Sequence, residues 1–182
     1  MALILDGTTG IVANNIATNS RLATGNMPAG GVLQVVQAVK TDTFSTTSNT
    51  PVDVTGLSAS ITPSSASSKI LVLVDCSFAG GASAAAVAFL AKNGSVIYGG
   101  DASTGRVNGL AWGYNASDYD LQRSGGTYLD APNTTSPITY NVKLSSTTAG
   151  TAAYVNRSVA DRSSTYFDVR TASSITLMEI AG

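Results

Sequence analysis

The chain has 182 residues, of which 12% are charged, and its formal net charge is −1. That length suits one domain, or one domain with an appended arm. The sparse, balanced charge excludes the clustered Lys and Arg that a nucleic-acid surface requires; the lysines at 40, 69, 92 and 143 are scattered.

There is no histidine, and Cys76 and Glu179 are the sole cysteine and glutamate. This removes Ser-His-Asp and Cys-His nucleophile arrangements, the commonest metal ligand and any disulfide framework. No basic stretch followed by an apolar core opens the chain, so no signal peptide is expected. No apolar run approaches the ~18–20 residues of a membrane span, and membrane insertion is not expected. Ser and Thr make up about a quarter of the residues, a mixture that favours strands and turns over helix. The sequons at Asn93, Asn115, Asn133 and Asn156 are what so much Asn, Ser and Thr produces by chance.

In chain order, residues 1–31 come first. Leu3, Ile4 and Leu5 precede Asp6-Gly7-Thr8-Thr9-Gly10, then Ile11 and Val12, then a small, polar stretch ending in Pro28-Ala29-Gly30-Gly31. The Asp-Gly segment has no Gly-Lys-Ser/Thr and no partner lysine, so it reads as a turn and not as a phosphate loop. The segment cannot bury a core of its own and reads as an extended N-terminal arm with a linker.

From Val32 onward the pattern is all strand. "VLQVVQAV", "TDTFSTTSNTPVDV", "LSASITP" and "KILVLVDC" follow one another across turns at 49–51 and 63–64. "AAAVAFLAKNGSVIYGG" reads as two strands around Asn93-Gly94, a pair favoured in type I′ hairpins. Its alanines suit helix, but the turn and neighbouring strands favour a hairpin. "RVNGLAW", "TYLDA", "SPITYNVKLS", "TAAYV", "STYFDVR" and "SSITLMEIAG" complete the series. The expected fold is all-β: an antiparallel β-sandwich or jelly roll over 32–182. Cys76, inside "ILVLVDCSF", is expected as a core hydrophobe.

Residues 70–74 and 175–180 are apolar on both strand faces, whereas a one-sided antiparallel sheet alternates. The second face needs a cover, either a loop or another copy of the chain. The single Trp112 sits with Tyr114, Asp118, Tyr119, Asp120 and Arg123 in "LAWGYNASDYDLQR", the residue types of a sugar-contacting surface or of cross-strand aromatic packing. Two acids without a glycine-bearing ligand loop do not make a calcium site. An enzyme would have to rest on Asp118 and Asp120 alone, which share one side if the segment is a strand. Asp161, Arg162, Asp168 and Arg170 read as solvated strand-edge charges. No catalytic residue, metal or cofactor is expected.

The opening "MALILDGTTGI", the stretch "VLQVVQAVKTDTFSTTSNTPVDVTGLSASITPSSASSKILVLVD" and the closing "SITLMEIAG" resemble tail-fibre and virion structural proteins of bacteriophages, including those of marine and cyanobacterial hosts. The resemblance covers residues 1–11, 31–75 and the last ten. It implies a virion component, assembled in the host cytoplasm, that is commonly a homotrimer with a particle-binding arm and a distal β-sandwich contacting the host surface. Particle attachment would fall to Leu3, Ile4, Leu5, Ile11 and Val12, with other virion proteins as partners. No fibre shaft lies between arm and sandwich, so a short fibre, a knob or a head-decoration protein fits the length better. In a trimeric jelly roll of the tumour-necrosis-factor or C1q kind the first and last strands pair in the inner sheet. The subunit interface is then expected at Leu33, Val35, Ile70, Val72, Val74, Ile175 and Leu177. A free carbohydrate-binding module using Trp112 is the other reading.

Overall fold

A computed structural model of the chain describes residues 27–81, 84–101, 103–163 and 166–182. Its strands are β1 (Val32–Lys40), β2 (Phe44–Thr46), β3 (Val52–Ile61), β4 (Lys69–Gly80), β5 (Ala85–Lys92), β6 (Ser95–Tyr98), β7 (Ala111–Tyr114), β8 (Gln122–Asp130), β9 (Ile138–Ser146), β10 (Ala153–Val155) and β11 (Ser173–Ile180). All of their pairings are antiparallel. The five attachment positions, Leu3, Ile4, Leu5, Ile11 and Val12, lie outside the described residues, as does the Asp6–Gly10 turn.

The strands form two sheets. In the first, β8 flanks one side of β4, and β11 and β10 lie end to end along the other, with β1 and β2 beyond them. In the second, β3 pairs β9, β9 pairs β5, and β6 and β7 share the far side of β5. The antiparallel β-sandwich expected from the sequence is what forms, and its strand order is that of a jelly roll. First and last strands pair directly, from Val32 opposite Ile180 to Lys40 opposite Ser173.

Strand parity decides what each residue faces, because successive side chains point to opposite sides. Ile70, Val72, Val74, Ile175 and Leu177 point between the sheets and join Phe78, Leu90, Tyr140, Val142 and Leu144 in the core. The trimeric jelly-roll comparison assigns these five to a subunit interface; their burial within a single chain, each at most 6% exposed, corrects that. Their neighbours one position along, Leu71, Leu73, Met178 and Ile180, carry the second apolar face outward and are only half-buried. Val35 does point outward, and Leu33 is half-buried at a bulge where the β1–β11 register shifts. Truncating a core leucine such as Leu177 to alanine is worth about 2–5 kcal/mol in sites of this kind.

β5 is buried on both faces, and here a loop is the cover. Residues 99–110 leave β6, cross the outer face of β5 and return as β7, tied by a 2.8 Å bond from the Leu110 amide to the Ala88 carbonyl. Gly109 makes the approach possible, since a Cβ there would stand 2.3 Å from Val87 Cγ1 and 2.9 Å from the Ala88 oxygen. The expected β5–β6 hairpin forms, with both turn residues in the left-handed region (Asn93 φ 48°, Gly94 φ 86°), as a type I′ turn requires. Two expected strands do not form as such. "RVNGLAW" is loop up to Leu110, and the described part of "STYFDVR" has only an isolated bridge from Arg170 to Arg157.

β10 and β11 lie on one strand line, interrupted by a loop over 156–172 that rejoins almost where it left. Buried Asn156 closes the base of that loop. Its side-chain amide donates to the Lys40 and Asp42 carbonyls at 2.8 and 3.0 Å, its oxygen accepts from Ser173 Oγ at 2.6 Å, and its own amide donates to Ser77 at 2.9 Å. The loop is zipped by Arg162–Asp168 at 2.8 Å and Arg170–Asp161 at 2.6 Å. The sign alternation read as strand-edge charge is therefore internal pairing within a loop. Arg162, then the Ser158 hydroxyl, hold the Asp168 carboxyl below its usual range, and Arg170 does the same for Asp161.

Candidate functional site

The six residues expected to share one ligand surface occupy three places. Trp112 and Tyr114 stand on the outward face of β7 and are 61% and 48% exposed. Asp118, Tyr119 and Asp120 lie in the loop between β7 and β8, not on a strand, so they present no paired carboxylates. Asp118 meets Arg162 at 3.5 Å, while the Asp120 carboxylate accepts the Ser117 amide at 3.0 Å and closes a local turn. Tyr119 packs on Phe167 with ring centroids 5.6 Å apart, and the Arg162 guanidinium lies 5.8 Å from its ring centre. Arg123 belongs to the other sheet, paired with Asp75 across β8 and β4. The single surface separates because the sequence between Tyr114 and Gln122 turns from one sheet to the other.

That junction has a defined position. The Asn115 side chain accepts the Gly80 amide at 2.7 Å, and the Ala160 amide donates to the Asp118 carbonyl at 2.9 Å, so the 115–121 and 156–172 loops join at the Gly80 end of β4. The other end of β4 lies beside Ile180 and Val32. There Gly30 donates to the Ala181 carbonyl and Ala181 to the Gly31 carbonyl, both at 2.8 Å. Among the described residues, hydrogen bonding to the sandwich begins at Gly30, inside the segment assigned to the linker. β4 is 12 residues long, so arm root and loops stand roughly 35 Å apart at about 3.3 Å per residue.

The two outer faces differ in chemistry. On the first sheet an apolar row crosses four strands: Val35, Met178, Leu71 and Leu129 are successive register partners from β1 to β8. Val35 and Leu129 are 56% and 50% exposed, and Val32 and Val39 extend the patch along β1. On the second sheet the 99–110 loop and β7 bound a groove of about 320 Å³, lined among others by Val87, Asp101, Arg106, Gly109 and Trp112. This groove residue set was not legible beforehand. Trp112 was singled out with its chain neighbours, whereas its spatial neighbours come from a loop that precedes it.

Cys76 is fully buried, and burial pushes its thiol up to about 11, as suits a core residue. Among the described residues no three Cys, Asp or Glu side chains converge as a metal site would need. No helix among them is long and apolar enough to cross a membrane.

No protein family matches the sequence, and no curated protein does. Among solved structures, the chain is similar to one titled as the structure of infectious bursal disease virus Gt strain, with 16% identity and a TM-score of 0.38. The match covers 84% of this chain and 43% of that one, so the chain spans less than half of its length.

Proposed function

We propose that this chain is a non-enzymatic structural subunit of a bacteriophage particle, working as a homotrimer. The N-terminal arm and linker, residues 1–31, bind other virion proteins through the apolar anchors Leu3–Leu5 and Ile11–Val12, and the loop end of the sandwich faces the host. The observation that carries the reading is the outward apolar row Val35–Met178–Leu71–Leu129. Burying apolar surface yields about 25 cal/mol per Å², and a monomeric sheet face of this composition is left unburied. Contiguous exposed apolar patches of this kind mark contact surfaces. Two further facts support the arrangement. The row lies on the sheet in which first and last strands pair, the one a trimeric jelly roll turns inward. The arm root and the 115–121 loop are at opposite ends of β4, as a part that docks at one end and projects at the other requires.

Short fibre, knob and head decoration are placements of the same subunit, and imaging of the intact particle separates them. The assembly itself is tested by light scattering after size exclusion. Full-length protein is expected at three times the chain mass. Leu129→Glu, an exposed position in a four-strand apolar row, is expected to give folded monomer. A wild-type monomer at micromolar concentration would overturn the trimer.

A further inference from the structure

The groove on the second sheet has features that no intramolecular purpose accounts for. Among the described residues, Arg123, Arg157, Arg162 and Arg170 each meet an aspartate carboxylate. Arg106 meets none, and neither does Asp101 meet a cation; both line this groove. The chain's one tryptophan stands beside them with its ring packed on no other aromatic or cationic group among those residues. An exposed indole costs solvation unless something covers it. Beneath lies Val87, the outward-facing register partner of Trp112, and Gly109 is the residue whose missing Cβ lets the loop close down on it.

We infer that this groove binds a neutral hexopyranose glycan, with one sugar ring stacked on Trp112 and its hydroxyls hydrogen-bonded by Asp101, Arg106 and Asn108. Each part of the chemistry points the same way. A pyranose offers an apolar C–H face to an aromatic ring and a polar edge of vicinal hydroxyls to planar side chains. Asp101 accepts two hydroxyl hydrogens, and Arg106 donates in the matching fork geometry. Their charges cancel, so the rim attracts neither a polyanion such as a phosphate or uronate chain nor a polycation. A protein partner would need about 800 Å² of its own surface buried, and this groove is of single-sugar size and open at the surface. The groove also lies on the sheet opposite the apolar row, so a trimer packed through the first sheet presents it outward.

The inference deepens the host-contact part of the proposed function and does not depend on the oligomeric state. Because Trp112 is the only tryptophan, intrinsic fluorescence of the intact protein reads the groove directly. Titration is done with gluco-, galacto- and manno-configured oligosaccharides, with sialylated and uronate-containing ones alongside. Saturable quenching or a blue shift with at least one neutral sugar is expected. On an array carrying the same sugars, Trp112→Ala should weaken binding at least tenfold and Arg106→Ala about three- to tenfold. Phe167→Ala, at the loop junction outside the groove, should leave it unchanged. Circular dichroism of each variant verifies folding, which substitution of these exposed side chains does not disturb. Absence of any neutral-sugar response up to the solubility limit overturns the inference, and so does a response confined to anionic sugars or one lost equally in Phe167→Ala. A trimer without sugar binding sinks the groove and leaves the assembly; a sugar-binding monomer does the reverse.

Discussion

Asn156 holds more of the fold together than its surroundings in sequence suggest. It is fully buried, sits at φ 63°, and ties the break between β1 and β2 to β4 and to the start of β11. Losing its side chain removes the partner of the buried Lys40 carbonyl and of the Ser173 hydroxyl hydrogen, a buried polar group costing about 1–3 kcal/mol when left unpaired. Asn156→Ala is therefore expected to lower stability by about 2–4 kcal/mol in chemical denaturation. Asn156→Gly relieves the left-handed backbone yet still loses the amide, so it should recover only a minor part of the loss. Full recovery in the glycine variant would assign the effect to backbone strain. None of this was legible in the sequence, where Asn156 is one sequon among several. Its amide partners lie 114 and 116 residues away, and a local pattern carries no trace of such a contact. Cys76 is the opposite case: an apolar run on both sides identifies a core position, and the core is where it lies.

At the scale of the element, β11 shows how far pattern reading reaches. Its apolar content on both faces was plain, whereas its pairing with β1 is what the resemblance to a trimeric jelly roll implies, and it forms. Ser174 and Thr176 mark the outward face, but Glu179 contradicts them: it occupies an inward position and is fully buried. It is tolerated because its oxygens accept from the Ser64 amide at 2.7 Å, the Ser64 hydroxyl at 2.6 Å and the Gln34 amide at 2.6 Å. Burial pushes its carboxyl up, but the hydrogen bonds from Ser64 and Gln34 outweigh that and hold it below its ordinary 4.5. A carboxyl depressed in the folded state stabilises the fold at pH values above the unfolded value. That contribution disappears as pH falls through the folded value. Thermal melts should thus show stability falling as the medium is acidified below 4.5. Glu179→Gln, which sets a donor against one of these donors, should cost about 1–3 kcal/mol at pH 7. Its deficit should shrink on acidification, and a deficit that stays constant with pH would remove Glu179 from the acid response.

The sandwich as a whole was legible because Gly, Asn, Ser and Pro turn residues punctuate a series of strand-forming segments. The two large loops were not. Residues 99–110 and 156–172 contain strand-like stretches, and only tertiary contacts, the closure over β5 and the Arg–Asp zipper, decide against strands there. The same contacts redistributed the expected ligand residues and made a groove that sequence proximity hides. Truncation tests where the arm ends. Deleting residues 1–26 should leave melting temperature and oligomeric state unchanged and abolish incorporation into particles. Extending the deletion through Gly31 removes the two backbone bonds to Ala181 and should lower the melting temperature. If the shorter deletion already unfolds the sandwich, the arm belongs to the folded domain.

The position of β1 has a mechanical meaning. It is an edge strand, it receives the arm at its first residue, and eight paired positions bind it to β11. Tension drawn between the arm and the 115–121 loop runs along the strand axis. It therefore loads all those pairs at once, in shear, so that none can open before the rest. A sideways pull on the same segment would peel them one after another. In the proposed particle, a load carried from arm to host-facing loops would pull along the direction in which the ladder resists most.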